Sequence, residues 1–205
     1  MTWAQTTSGQ AVDFLSPLPS SIRLFDIATM LSRQSRFNGG TKPGRAFSVA
    51  SHSLLALAAC ETEDPLARLA VLMHDAHEFV TGDQITPFKQ AVMAMVRSNP
   101  IETIQVRIQT AIDIAAGMHG AMMRFRAVIK TADLLALAIE KRDLMADEPQ
   151  SWGVVTPDVR DHALTAIPDS EDGAQTRFIT QFHKLASAAA VIPMDTFYMD
   201  GGKLP

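Results

Sequence analysis

Cysteine is almost absent. The 205-residue chain has one, Cys60, so no internal disulfide framework can form and a reducing compartment is expected. No apolar run approaches the roughly 20 residues that a bilayer-crossing helix needs. The opening residues, MTWAQTTSGQ, lack a basic segment followed by an apolar one, so no secretory signal is expected and the location is expected to be cytoplasmic. A basic block is also lacking, and the net charge of −4 argues against a nucleic-acid polymer or a membrane surface as partner. The segment GGTKPG lacks the spacing and the Gly-Lys-Ser/Thr ending of a P-loop, and there is no Rossmann fingerprint. Internal repeats and low-complexity stretches are missing as well. One soluble domain over residues 1–205 is the expectation.

Strand signals are scarce and helix signals recur. Residues 1–18 read as an extended arm with turns at Gly9 and around Ser16–Pro19. Ser20 or Ser21 can cap a helix carrying Ile22, Phe25, Ala28 and Leu31. The breaker-rich stretch from Asn38 to Arg45 predicts a loop. Ser48 opens a helix through about Cys60. Asp64 with Pro65 starts another that runs to Gly82. Thr86-Pro87 and Asn99-Pro100 repeat this device; the second run places Ile104, Ile108, Ile112 and Ala115 on one face and closes at Gly117. A long helix is expected from about Ala121 to Ala146, then a loop over 149–172 with Trp152 as a possible anchor. A last helix, about 172–190, aligns Phe178, Phe182 and Leu185. Phe197 and Tyr198 can pin the tail that ends in Gly201-Gly202, which otherwise frays. The pattern predicts an all-α, single-domain globule of about seven helices, its central part spanning residues 20–147.

Within LAVLMHDAHEFVTGD, His74 and Asp75 interrupt an apolar run. Burying two such groups without partners costs several kcal/mol, and a divalent ion satisfies both at once. His52 in SVASHSLLALAA and Asp133 in VIKTADLLALAIE occupy equally apolar helical settings. A core hydrogen bond explains a lone buried histidine, and Asp133 alone can pair with Lys130, but four such groups together point to a metal site of His52, His74, Asp75 and Asp133. Two imidazoles and two carboxylates suit Zn, Mn, Co, Fe or Ni, with Mg admitted and Ca disfavoured. His77 lies near the same face; His119, His162 and His183 have no comparable context.

The order H…HD…D resembles the HD-domain metal-dependent phosphohydrolases. More narrowly, HDAHEFVTGDQITPFK is similar to the HDxxExxxGDxxTPxK stretch of the YfbR-like 5′-deoxynucleotidases. WAQTTSG, LFDIATMLSRQSRFNGG, FSVASHS and ADLLALAIEKRDLM resemble a bacterial and phage branch of that family with WxQTxxG, DIAxxLS, RFGG and SVAxHS motifs. This chain reads RFNGGT where branch members often read RFGGH, a departure near Thr41 that bears on substrate preference.

Glu78, four residues past His74, projects from about the same helix face, and the resemblance implies that it orients or deprotonates the attacking water or passes a proton to the leaving oxygen. Asp83 follows a helix end, where negative charge is unfavourable, and so needs a partner; the resemblance places it at the active site. Arg36 can grip a phosphate bidentately, a role the resemblance also implies. Phe37 packs either on a sugar or base or in the core. Thr86 falls in the substrate-side TPxK stretch, where capping also explains it, and Lys89 is either part of that stretch or solvated. Trp3 is an anchor or a stacking residue.

The expected activity is hydrolysis of (deoxy)nucleoside 5′-monophosphates, small-molecule substrates, by a metal-activated water. A deoxynucleoside triphosphate triphosphohydrolase is the second reading, and a nucleotide-binding module without turnover the third. Met93, Met95, Met122 and Met123 either form a homodimer contact or fill the core.

Overall fold

Two three-residue strands open the chain: β1 (Trp3–Gln5) pairs antiparallel with β2 (Ala11–Asp13), Ala4 facing Val12. The computed structural model describes residues 1–42 and 44–199; Pro43 of the expected loop and the Gly201-Gly202 tail lie outside them. Where the sequence predicts an extended arm there is thus a hairpin. Strands this short carry too little alternation to read. The hairpin is held from below by Asp26, whose carboxylate accepts Thr6 Oγ1–H at 2.7 Å, Ser8 N–H at 2.7 Å and Ser8 Oγ–H at 2.6 Å.

Nine α-helices follow among the described residues. The first, α1 (Leu24–Arg33), begins later than the expected Ser20 or Ser21 cap. Pro19–Ser21 form a 3-10 turn, and extended Ile22 and Arg23 separate it from the helix. The next two starts agree with the sequence. Ser48 caps α2 (Val49–Ala59) by accepting Ser51 N–H at 3.1 Å. Asp64 caps α3 (Pro65–Leu72) by accepting the N–H groups of Leu66 and Ala67. Each such cap contributes about 1 kcal/mol.

The expected run from Pro65 to Gly82 is broken. After Leu72 the chain passes through tight turns, with Ala76 N–H on Met73 O and Glu78 N–H on Asp75 O, both at 3.0 Å, before the short α4 (Glu78–Thr81). His74 and Asp75 therefore sit in a turn between two helices rather than within one. Gly82, at φ +75°, redirects the chain, a conformation that costs glycine little.

In α5 (Thr86–Val96) the cap position is Ile85, so Thr86 is the first helical residue and does not cap. No residue of α5 is buried. Asn99 caps α6 (Pro100–Ala115) as expected, and Ile108, Ile112 and Ala115 are buried. The long helix expected from Ala121 divides at Phe125 into α7 (Ala121–Arg124) and α8 (Arg126–Leu144). These two divisions account for more helices than the seven expected. Ser170 caps α9 (Glu171–Ala188), which buries Phe178, Phe182 and Leu185.

The larger core joins α1, α3 and α9 through Ile27, Leu31, Leu69, Leu72, Phe178 and Phe182. Phe197 joins it, with its ring 5.3 Å from that of Phe182, and so pins the segment after α9. A smaller core of Phe47, Leu55, Val71 and Ile139 lies where α2 meets α8. Both cores abut α2, whose residues Val49 to Ser53 are all buried, so His52 has no exposed face to turn to. Met122 packs against the larger core, whereas Met93, Met95 and Met123 are exposed. No helix among the described residues is long and apolar enough to cross a membrane.

Candidate metal centre

His52 is fully buried at the middle of α2. Its Nδ1 lies 2.5 Å from Glu140 Oε1. That hydrogen bond assigns the Nδ1 proton and leaves Nε2 to face the turn after α3. There the His74 Nδ1–H donates to Val71 O at 2.8 Å, which likewise leaves Nε2 to point inward. The two Nε2 atoms are 3.3 Å apart.

Asp75 and Asp133 complete the group. Asp75 Oδ2 is 3.2 Å from His74 Nε2 and 3.5 Å from His52 Nε2. Asp133, on α8, brings Oδ1 to 3.5 Å from His52 Nε2 and 4.0 Å from His74 Nε2, while its Oδ2 accepts from Lys130 at 3.2 Å. N and O donors bound at about 2.0–2.2 Å to one ion lie roughly 3–4 Å from each other. His52, His74 and Asp75 could thus hold a divalent ion, and Asp133 adds a fourth donor at comparable spacing. All four residues expected as ligands converge.

The surrounding charge is strongly acidic. Four carboxylates, Asp75, Glu78, Asp83 and Glu140, stand around one guanidinium, Arg36, and a fifth, Asp133, lies beside His52. Arg36 Nη2 donates to Glu140 Oε2 at 3.1 Å, and Nη1 stands 3.8 Å from Asp75 Oδ2 and 4.0 Å from Asp83 Oδ2. Glu78 is buried and its Oε2 has no hydrogen-bond partner among the described residues. Burial, with Asp75 and Asp83 nearby, holds its carboxyl well above the usual range. Burial also raises Asp83, with Arg36 opposing.

The histidines respond in the opposite sense. Burial and Arg36 act to lower His52, but Glu140 and Asp133 outweigh them and lift it to about 10. Burial lowers His74, yet Asp75 raises it above its ordinary value. Against burial, His74 holds Asp75 well down, and His52 holds down Asp133 and Glu140. Such a cluster holds protons where a cation can replace them, so its affinity for a metal must depend on pH. Acidic excess, convergent imidazole nitrogens and a buried carboxylate oxygen unpartnered among the described residues all fit a divalent ion.

Asp83 joins the site because its Oδ2 accepts the Phe37 N–H at 3.3 Å. Phe37 and Asn38 have φ of +54° and +53° in the turn after α1, a left-handed conformation that costs about 1–2 kcal/mol for a residue such as Phe. The Phe37 ring lies 5.9 Å from that of Trp152 and 5.3 Å from the Arg36 guanidinium, and Lys141 Nζ stands 5.1 Å over Trp152. Phe37 is half-buried against these groups rather than a core residue. Trp152 thus anchors the loop between α8 and α9.

Thr86 is exposed, and among the described residues none hydrogen-bonds to its side chain. His77 turns to Gln109, whose Oε1 accepts its backbone N–H at 3.2 Å and lies 3.3 Å from its Nδ1. Gln109 Nε2 also donates to Met73 O at 3.1 Å and so braces the turn. His77 is near enough to Asp75 and Glu78 to offer a donor beside them. His183 stacks on Tyr198 at 5.2 Å, away from the cluster. The residue that sequence reasoning missed is Glu140. Its signal is spacing: seven residues past Asp133 on one helix, it lies two turns along the same face.

No protein-family model matches the chain. It is 33% identical over 147 residues to an uncharacterized protein of Rhodobacter capsulatus, covering 69% of this chain and 72% of that one. It is 28% identical over 187 residues to the uncharacterized protein YfdR of Escherichia coli, covering 91% and 97% of the two.

Proposed function

We propose that this chain, which belongs to the same family as the Rhodobacter capsulatus protein, is a metal-dependent HD-domain phosphohydrolase acting on (deoxy)nucleoside 5′-monophosphates. The observation that carries this is the convergence of His52, His74, Asp75 and Asp133 within 3.2–4.0 Å beside a guanidinium and two carboxyls of raised pKa. The H…HD…D order and the HDxxExxxGD spacing of the sequence support it as well.

Those four residues would hold the ion. When bound, a divalent ion supplies Lewis-acid polarisation of a phosphoryl oxygen and lowers the pKa of water. Arg36, with Nη1 free of close hydrogen bonds among the described residues, offsets charge on the phosphate. Glu78 takes the proton of the attacking water on its unpartnered Oε2. A P–O bond to that water forms as the P–O bond to the ester oxygen breaks. Asp83, held above the usual carboxylate range, gives a proton to the departing ester oxygen. The products are a nucleoside and inorganic phosphate. Phe37 stands beside Arg36, and Trp152 beside Phe37, where a sugar or base would rest.

A triphosphate would need more positive charge. Among the described residues, only Arg36 and Lys130 of the lysines and arginines pair with the cluster's carboxylates, which favours a monophosphate. Phosphate release from a panel of nucleoside and deoxynucleoside monophosphates, with Mn, Co, Zn or Mg added, is the test. Turnover of at least one monophosphate is expected. Folded protein that releases nothing with any metal would overturn the proposal, and tripolyphosphate released from a triphosphate would redirect it.

A further inference from the structure

We infer that Glu140 is the positioning residue of this centre: one carboxylate holds the His52 ring with Oε1 and the Arg36 guanidinium with Oε2, so metal binding and phosphate binding share a single anchor. The assignment rests on the metal-dependent phosphohydrolase proposed above.

The geometry is specific. Glu140 has no exposed surface. Its two oxygens are divided, Oε1 at 2.5 Å from His52 Nδ1 and Oε2 at 3.1 Å from Arg36 Nη2. The first bond keeps His52 Nε2 pointed at His74, Asp75 and Asp133. The second holds Arg36 so that Nη1 faces Asp75 and Asp83 across 3.8 and 4.0 Å. Arg36 Nε is buried without a partner, so Glu140 provides the one close charged hydrogen bond that orients the guanidinium among the described residues. A carboxylate is the only side chain with two acceptor atoms set for two donors in this way.

Glutamine has almost the same shape but one acceptor and one donor group. Facing a permanent cation and a ring that must be neutral to take a metal, its amide oxygen turns to Arg36, because hydrogen bonds to charged groups are the stronger ones. Its NH₂ then points at His52 Nδ1, which must accept. That forces the proton onto Nε2 and blocks the lone pair that a metal needs. Removing the cation reverses the choice: with Arg36 replaced by methionine, the amide oxygen is free to accept from His52 Nδ1–H. A side chain that merely filled space at position 140 would show no such dependence on residue 36.

The test is calorimetric titration of the ion-free protein with cobalt(II), which reads the site without reference to turnover. E140Q is expected to bind cobalt about 10–100-fold more weakly than wild type, and R36M/E140Q to recover most of that loss. Where E140Q alone does not fold, R36M/E140Q against R36M/E140L carries the same test, since neither variant leaves an unpaired buried charge at these two positions. The glutamine form should then bind at least about tenfold more tightly. Wild-type affinity in E140Q, no recovery in R36M/E140Q, or equal affinities in the last pair would overturn the role of Glu140. Wild-type protein that binds no cobalt would overturn both this role and the proposed function. Cobalt affinities that follow the expected order without any nucleotide turnover would support Glu140 and count against the function alone.

Discussion

The Phe37 backbone N–H donates to Asp83 Oδ2 across 3.3 Å, tying the left-handed turn after α1 to the segment that follows α4. This bond makes Asp83 an acceptor that fixes the turn, a role separable from that of the acid in the proposed mechanism. Asp83→Asn keeps an acceptor oxygen and removes the acid. It should lower the monophosphatase kcat by about 10²–10⁴-fold while thermal stability stays near that of wild type. Asp83→Ala should lose both. Full turnover by Asp83→Asn would remove Asp83 from the chemistry.

Asp113 lies outside the cluster, yet it is buried, and burial lifts its carboxyl to about 7, with a bond from Gln109 Nε2 opposing. Its folded pKa therefore exceeds the ordinary value of 3.8. The stability it contributes is fully present below about pH 4 and is lost as pH rises toward 7. Asp113→Asn keeps an acceptor for Gln109 and cannot ionise. Denaturant unfolding should show the variant gaining on wild type between pH 4 and 8, by roughly 2–4 kcal/mol at the upper end. A difference that does not change over that range would contradict the raised pKa.

Metal binding should be visible as stability. A ligand present at about 100 times its Kd adds about 2.7 kcal/mol to a protein that binds it only when folded. For a chain of this size that is a rise in Tm of roughly 5–10 °C, reversed by a chelator. Because His52, lifted to about 10, holds its second proton at neutral pH, the rise should grow as pH increases from 6 to 8. A Tm indifferent to every divalent ion tried would argue against the centre.

The helices that carry local punctuation were legible in the sequence. Ser48, Asp64 and Asn99 are the caps they promised to be, and Phe178, Phe182 and Leu185 line the buried face of α9. The break after Leu72 was not legible, because Leu69 to Met73 is uniformly apolar and favourable to a helix. What ends α3 is a side chain: the Val71 carbonyl accepts from the His74 ring, whereas a continuing helix would offer it to the Asp75 N–H. A side-chain donor of this kind competes with helical bonding, and here it is a candidate metal ligand that does so. The four candidate ligands could be read because each stood out against an apolar run. Glu140 could not be read in the same way, since its partners, His52 and Arg36, come from segments 88 and 104 residues away. Thr86 misled because a threonine before a proline resembles a cap, while the helix starts one residue earlier, with Ile85 in the cap position and no side-chain cap bond.

The central claim is that one divalent ion is held by His52, His74, Asp75 and Asp133. Elemental analysis of purified wild-type protein beside folded His52→Ala and Asp75→Ala tests it directly. The account predicts about one transition-metal ion per wild-type chain, as a single four-donor site requires, and a small fraction of that in each variant. Wild-type occupancy persisting in both variants would contradict it.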